Sequence, residues 1–387
     1  MKDSLPPGST IGVLGGGQLG RMLTIASRRM GYRVLSWIGG PDTGPAGLAD
    51  EVIEEPFDSG EALALFLEKA DVATVEFENI PLSLLEAVEG AIPLYPGSGA
   101  IATCQHRERE KAFLSQNAFP CAPFHVIDSA SALASALPQL PTSGGILKTA
   151  EFGYDGKGQL PVSSTDSADS VWSRFDAPRA VLEEKINLAG ELSVLVVRDL
   201  SGKIVTYDPV ENIHRDHILD ISRVPACLPE DVARQAREVA TGIAEALDYV
   251  GILAVEFFLS QSGDLLVNEM APRPHNSGHH TIDACETSQF EQQLRCLIGA
   301  KPGSTRLHSP TMMLNLLGDV WGDADGKPPW DEILALPGSH LHLYGKAEAR
   351  RGRKMGHVTF TGADADSVLA TQTRAREILK IPELADH

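Results

Sequence analysis

Residues 10–38, TIGVLGGGQLGRMLTIASRRMGYRVLSWI, read as an apolar strand, a glycine turn, a helix with one apolar stripe and a second apolar strand. That is a βαβ unit, and it commits the start of the chain to a parallel α/β sheet. Further alternation through ADVATVEFE and IPLYPG extends the pattern, so residues 1–105 read as an open, mostly parallel sheet. The charged helix HREREKAFLSQN then opens a new region. From 106 to 305, short strands such as GGILKTA, AVLEEKI, LSVLVVRD and GILAVEFFL alternate with glycine turns and a few helices, the pattern of α+β modules with antiparallel sheets. SSTDSADS is polar and reads as a surface loop. KPGSTRLHSP, at 301–310, marks a second boundary, after which HLHLYGK and MGHVTF are expected to pair as a hairpin in a small β-rich domain, 306–387.

The 387 residues suit two or three packed domains, and a net charge of -19 argues against broad nucleic-acid binding. Anionic small molecules would then need local concentrations of Lys and Arg. No signal-peptide pattern and no run approaching a membrane span is visible, so a cytoplasmic protein is expected, without a membrane partner. Five scattered cysteines, never spaced CxxC, suggest neither a disulfide framework nor a thiolate zinc site.

Two glycine motifs suggest phosphate chemistry. The first, Gly15-Gly16-Gly17-Gln18-Leu19-Gly20, lies between strand and helix, where backbone amides can hold an anion. A dinucleotide would also require an acid at the end of the second strand, and Ser36, Trp37, Ile38 and Gly39 stand there instead. The glycines could instead serve only close helix packing, but a phosphate of some other ligand is the preferred reading. The second motif, Gly153-Tyr154-Asp155-Gly156-Lys157-Gly158-Gln159, follows a strand carrying Lys148 and reads as a hairpin loop able to close over phosphates. It is not a Walker loop, because Gly158 follows Lys157.

GILAVEFFLSQSGDLLVNEMAPR is the clearest chemical signal. A hairpin turning between Ser262 and Gly263 places Glu256 directly opposite Glu269, with Cβ atoms about 5 Å apart. Two carboxylates among apolar neighbours repel, and an all-oxygen pair of this kind suits magnesium. The alternative leaves one glutamate in solvent or paired with an arginine such as Arg273. By simple alternation Asn268 faces the other way.

The order of Lys148, the GYDGKGQ loop, Glu183-Glu184-Lys185-Ile186, Glu191, Glu256 and Asn268-Glu269 resembles the ATP-grasp superfamily over essentially the whole chain. Within it, GGGQLGRM (15–22), VEFEN (75–79), NEMAPRPHNSGHHTIDAC (268–285) and YGK with RRGRKMGH (344–357) resemble the 5-(carboxyamino)imidazole ribonucleotide synthetases of purine biosynthesis. The resemblance implies three domains. These are a Rossmann-like open sheet at 1–105, an ATP-grasp region at 106–305 with a lid at about 106–185 and a larger part at about 186–305, and the C-terminal domain.

It further implies that Glu183, Glu184, Lys185 and Ile186 meet adenine and that Glu191 meets the ribose. Arg107, Lys148, His214 and the 153–159 loop would line the nucleotide site. Asn268 and Glu269 would contact the nucleotide or its metal, with Glu256 sharing the magnesium. Taken singly, Arg107 could be a solvated helix charge, Lys148 a strand-end cation and His214 a loop residue. The second substrate, 5-aminoimidazole ribonucleotide, would have its phosphate held by the first glycine loop (Gly17, Gln18, Leu19), Arg21, Lys346, Arg351, Arg353 and Lys354. Glu76, Tyr154 and Asp155 would position its ring. Bicarbonate is expected near Arg273, His275 and Asn276; His275, His279 and His280 lack the remaining ligands of a zinc motif. The implied reaction transfers the γ-phosphoryl group of ATP to bicarbonate and carboxylates the substrate amine, with Lys148, Arg273, His275 and Asn276 as catalytic residues. A homodimer is implied by the resemblance alone. The alternatives are an ATP-grasp ligase or transformylase with another acceptor, and a nucleotide-binding protein without turnover.

Overall fold

The computed structural model describes residues 4–40, 44–151, 153, 157–322 and 326–382. Tyr154, Asp155 and Gly156 of the second glycine motif lie outside the described residues. The first sheet contains β1 (Thr10–Leu14), β2 (Arg33–Trp37), β3 (Glu51–Ile53) and β4 (Val72–Val75) in the order β3-β2-β1-β4, and every pair is parallel. The helices of this part are α1 (Gln18–Arg29), α2 (Gly60–Lys69), α3 (Leu82–Glu89), α4 (Ser98–Gln105) and α5 (Arg107–Gln116). Apolar residues of both sheet faces are buried, with Leu14, Trp37, Phe66 and Val75 in one cluster and Ile11, Val13, Leu23 and Val34 in another. IPLYPG contributes only an isolated bridge between Ala73 and Leu94, not a strand.

The second sheet is antiparallel: β5 (Phe124–Ile127), β6 (Gly145–Thr149), β7 (Gln159–Val162) and β8 (Ala180–Glu184), in the order β5-β8-β6-β7. It is backed by α6 (Ala130–Ala136) and α7 (Ala168–Phe175). The polar stretch at 163–170 is therefore a loop only in its first part. Ser167 accepts a hydrogen bond from the Ser170 amide and starts α7, a local capping preference that outweighs the polar composition.

The third sheet is the largest. Its strands are β9 (Leu188–Arg198), β10 (Ile204–Thr206), β11 (Val210–Arg215), β12 (Ile218–Val224), β13 (Gly251–Ser260), β14 (Leu265–Ala271), β15 (Thr311–Leu317), β16 (Ser339–Leu343) and β17 (Lys354–Thr361). The order is β14-β13-β9-β11-β12-β15-β17-β16, with β10 on β9. Helices α8 (Glu230–Ala246), α9 (Thr281–Ala284) and α10 (Gln289–Leu297) accompany its first half, and α11 (Trp330–Leu334) and α12 (Ala365–Leu379) its second. The expected C-terminal hairpin is present, with Leu343 opposite Gly356. Its sheet is not separate: β15 pairs with β12 from Ile221 to Val224, so the C-terminal strands continue the central sheet.

The register of the β13–β14 hairpin differs from a symmetric turn between Ser262 and Gly263. At the tip, Leu259 pairs with Leu265 and Phe257 with Val267, one residue tighter than expected. A β-bulge then restores the register, so Glu256 does face Glu269. The extra residue is Asn268. Simple alternation fails there, and Asn268 and Glu269 both border the same cleft.

Candidate active site

A cleft of about 1260 Å³ lies where the three sheets meet. From the second sheet it takes Lys148 on β6, Gln159 on β7 and Glu183 and Glu184 on β8, followed by Lys185 and Ile186. From the third sheet it takes Glu191, His214, Glu256, Asn268 and Glu269. Gly153 and Lys157 border it as well. Gly158 does not line it; its carbonyl accepts the Thr149 amide at 2.8 Å, closing the β6–β7 hairpin.

Three cations converge on Glu183. The Lys148 ammonium donates to Glu183 Oε2 at 3.0 Å, Lys111 Nζ stands 3.3 Å from the same oxygen, and Arg107 Nη1 lies 3.8 Å from Oε1. Burial raises the Glu183 pKa, but Lys111, Lys148 and Arg107 outweigh it and bring the carboxyl down to about 2. Burial lowers the pKa of Lys148, opposed by Glu183. Arg107 is therefore not a solvated helix charge: its side chain is 11% exposed, and it also stands 3.7 Å from Glu269 Oε2. Several buried polar atoms here have no hydrogen-bond partner, namely Arg107 Nε and Nη1 and Glu183 Oε1. Such atoms are costly unless a ligand satisfies them. His214 is also within 3.3 Å of Glu191; burial depresses its pKa, but that carboxylate carries the net shift upward.

The pKa values of the two glutamates of β13 and β14 are shifted in opposite directions. Desolvation of the partly buried Glu256 raises its pKa, yet His275, whose Nε2 is 3.0 Å away, makes the net shift downward. Glu269 is shifted upward by burial and by the neighbouring Glu256. A positive charge between them would relieve both. Among the described residues no group of three or more His, Cys, Asp or Glu is set to hold a metal. Two carboxylates with an adjacent amide oxygen fit magnesium, which takes its other ligands from water and phosphate. His279 and His280 stay out of the cleft: His279 stacks against Phe290 and His357, and His280 Nδ1 meets the Ser277 carbonyl at 2.8 Å.

At the opposite wall, the first glycine motif behaves differently from a phosphate loop. Gly17 N–H donates to Glu76 Oε1 at 2.7 Å and Gly20 N–H to Glu76 Oε2 at 3.2 Å, so a carboxylate of the chain already occupies these amides. Burial raises the Glu76 pKa and the two amides oppose it. Gly17, Gln18, Leu19 and Glu76 all line the cleft, whereas Arg21 does not and lies beside Gly345. Lys346, Arg351, Arg353 and Lys354 form its basic side, with Lys346 Nζ donating to the Lys354 carbonyl at 2.7 Å. Arg273, His275 and Asn276 border the cleft beyond β14. Arg273 is gripped by Glu78 through two guanidinium nitrogens; burial raises the Glu78 pKa, but Arg273 takes it down to about 2.

Sequence reasoning missed Glu78, Glu110 and Lys111. The last two had a readable signal, since Arg107, Glu110 and Lys111 are spaced i, i+3, i+4 and share one face of α5.

The fold and this cleft, with Lys148 and the paired glutamates on facing sheets, define an ATP-grasp enzyme. Family models agree, matching a ribonucleotide synthetase preATP-grasp domain at 9–105, an ATP-grasp domain at 112–290 and a phosphoribosylaminoimidazole carboxylase C-terminal domain at 311–371. The N5-carboxyaminoimidazole ribonucleotide synthase of Brucella melitensis is 43% identical over 362 residues, covering 92% of this chain and 98% of that protein. The crystal structure of N5-carboxyaminoimidazole ribonucleotide synthetase from Thermus thermophilus is 38% identical, with a TM-score of 0.89 over 97% of this chain and 100% of that one. The Aspergillus clavatus N5-carboxyaminoimidazole synthase, crystallised with ADP and 5-aminoimidazole ribonucleotide, is 28% identical with a TM-score of 0.87, over 97% of this chain and 99% of that one. The chain belongs to the N5-carboxyaminoimidazole ribonucleotide synthase family of ATP-grasp ligases.

Proposed function

We propose that this enzyme uses ATP and bicarbonate to carboxylate the exocyclic amine of 5-aminoimidazole ribonucleotide, in purine biosynthesis. The observation carrying this reading is the single cleft, which joins a nucleotide half built on Lys148, Glu183 and Glu269 to a basic half built on Lys346 and Lys354. In this reading Lys148 and Arg107 receive the ATP phosphates, and their present partner Glu183 keeps them charged and aligned beforehand. Glu183 to Ile186 border adenine and Glu191 the ribose. Magnesium held by Glu256 and Glu269 would neutralise charge on the transferring phosphoryl group. Arg273, beside Glu78, holds bicarbonate with His275 and Asn276 while a bicarbonate oxygen attacks the γ-phosphorus and ADP leaves with the β–γ bridging oxygen; transfer of the carboxyl group to the amine then releases phosphate and a proton. The resulting carboxyphosphate is unstable in water, and the second glycine motif, residues 153–159, is assigned to covering it.

With Gly17 and Gly20 amides given to Glu76, the ribonucleotide phosphate is assigned chiefly to Lys346, Arg351, Arg353 and Lys354, with Gln18 and Leu19 beside the ring. Arg21 takes a supporting place next to Gly345. We divide the chain at 105/106 and 305/306, and treat 106–185 as the lid. No helix of the described residues is long and apolar enough to cross a membrane. A cytoplasmic homodimer is the proposed assembly, which a mass measurement in solution would test.

The decisive experiment measures ADP release with magnesium, ATP and bicarbonate, with and without 5-aminoimidazole ribonucleotide, while following loss of the amine. Stimulated release with amine consumption is the expected result. Release stimulated only by another acceptor would overturn the substrate, and ATP binding without release would overturn the ligase reading.

A further inference from the structure

β14 is the edge strand of the large sheet; Pro120 and Cys121 pair with its outer edge at Val267, and two side chains of α5 reach its backbone further on. Around the bulge this contact is specific. Lys111 Nζ donates to the Asn268 carbonyl at 3.0 Å, and the Met270 amide donates to Glu110 Oε1 at 2.5 Å. These backbone groups flank Glu269 on both sides. Lys111 is 0% exposed and Glu110 is 3% exposed, so neither is a solvated helix charge. Lys111 also stands 3.3 Å from Glu183, so one ammonium touches both walls of the nucleotide cleft. Arg107, one turn earlier on the same helical face, reaches the Glu269 carboxylate itself.

A bulge leaves a strand locally underdetermined, because the inserted residue has no partner across the ladder. Here the missing constraint is supplied from a helix more than 150 residues earlier in the chain. We propose that Glu110 and Lys111 are positioning residues for Glu269: by holding the backbone on either side of it, they set the direction of its carboxylate and hence how strongly magnesium adds to nucleotide binding. The inference rests on the reading of Glu269 as a magnesium ligand. A purely structural role is the competing account, in which the two side chains only satisfy an exposed sheet edge. That role would lower stability without touching the metal.

The test is calorimetric titration of the full chain with ADP, once with magnesium and once with a chelator, for the parent and for Glu110→Met, Glu110→Gln, Lys111→Met and Glu269→Gln. The quantity read is the gain in ADP affinity that magnesium confers. Loss of groups that orient metal ligands costs about 10- to 100-fold in metal affinity, and that is the loss expected in Glu110→Met and Lys111→Met. With magnesium chelated, ADP should bind Glu110→Met within about threefold of the parent, a difference below 1 kcal/mol. Glu110→Gln keeps an oxygen that accepts the Met270 amide and should restore the gain. An equal fall in affinity with and without magnesium, an unchanged gain in Glu110→Met, or a Glu110→Gln that behaves as Glu110→Met would each overturn the proposal. Should Glu110→Met fail to fold, Lys111→Met carries the same comparison. Glu269→Gln separates the two layers: if it retains the full gain, the metal reading itself fails, whereas if it loses the gain and Glu110→Met does not, only the positioning role fails.

Discussion

Glu110 sits between Arg107, Lys111 and Glu269, and burial pushes its carboxyl up to about 7 against the pull of the two cations. An ordinary glutamate titrates near 4.5 in the unfolded chain. Between these values the folded protein holds a proton that the unfolded chain has released, so Glu110 makes folding less favourable as pH rises through that window. Glu110→Gln should therefore match the parent at pH 4.5 and melt higher than it at pH 8, a divergence that thermal melting without nucleotide would reveal. Glu78 carries the opposite sign, since its pKa of about 2 lies below the unfolded value. Its pairing with Arg273 stabilises the fold above about pH 4.5, a contribution lost as pH falls towards 2. Chemistry gives two more residue-scale outcomes. Glu269→Gln should lower ADP formation at least about 100-fold, several kcal/mol of charge stabilisation being removed. Lys354→Ala should raise the KM for the ribonucleotide about tenfold and leave that for ATP nearly unchanged, because a charge-assisted hydrogen bond is lost at one substrate only. Initial rates with each substrate varied separately would show both.

The element scale shows what a sequence can and cannot reveal. The βαβ start, the helix at 107–116, the β6–β7 hairpin and the C-terminal hairpin all follow local rules of periodicity and turn chemistry, and all are present. The facing of Glu256 and Glu269 was reached through a symmetric turn, while the chain arrives there by a tighter tip and a bulge at Asn268. Nothing local announces that bulge, because the groups that hold it, Glu110 and Lys111, come from a distant helix. The first glycine loop is a similar case. Its motif signals an anion, and the anion turns out to be Glu76, whose pairing depends on the β1–β4 register. A Cβ at Gly17 would fall 2.7 Å from both Glu76 oxygens. Gly17→Ala should accordingly displace that carboxylate and destabilise the protein by about 1–3 kcal/mol, readable in urea unfolding.

At the scale of the whole molecule, the C-terminal strands are part of the same sheet as Glu256 and Glu269. Ile221 of β12 is buried with Met312, Leu314, Val358 and Phe360, and β15 covers the edge of β12. A chain cut after residue 310 should thus lose cooperative melting instead of leaving an intact nucleotide-binding core, which circular dichroism against temperature would test. The continuity also sets a dimension. In a flat sheet β13 and β17 would stand five strand spacings apart in the observed order, about 24 Å. Yet Glu256 on β13 and Lys354 on β17 border one cleft, and the charge of Lys354 is felt at Glu256. Sheets twist by roughly 20° from strand to strand, which brings the ends of a wide sheet nearer than a flat one would allow. The span of the cleft is thus set by strand order and twist, so lengthening a surface loop would alter how quickly small molecules enter and leave, while the separation of Glu256 and Lys354 stays the same.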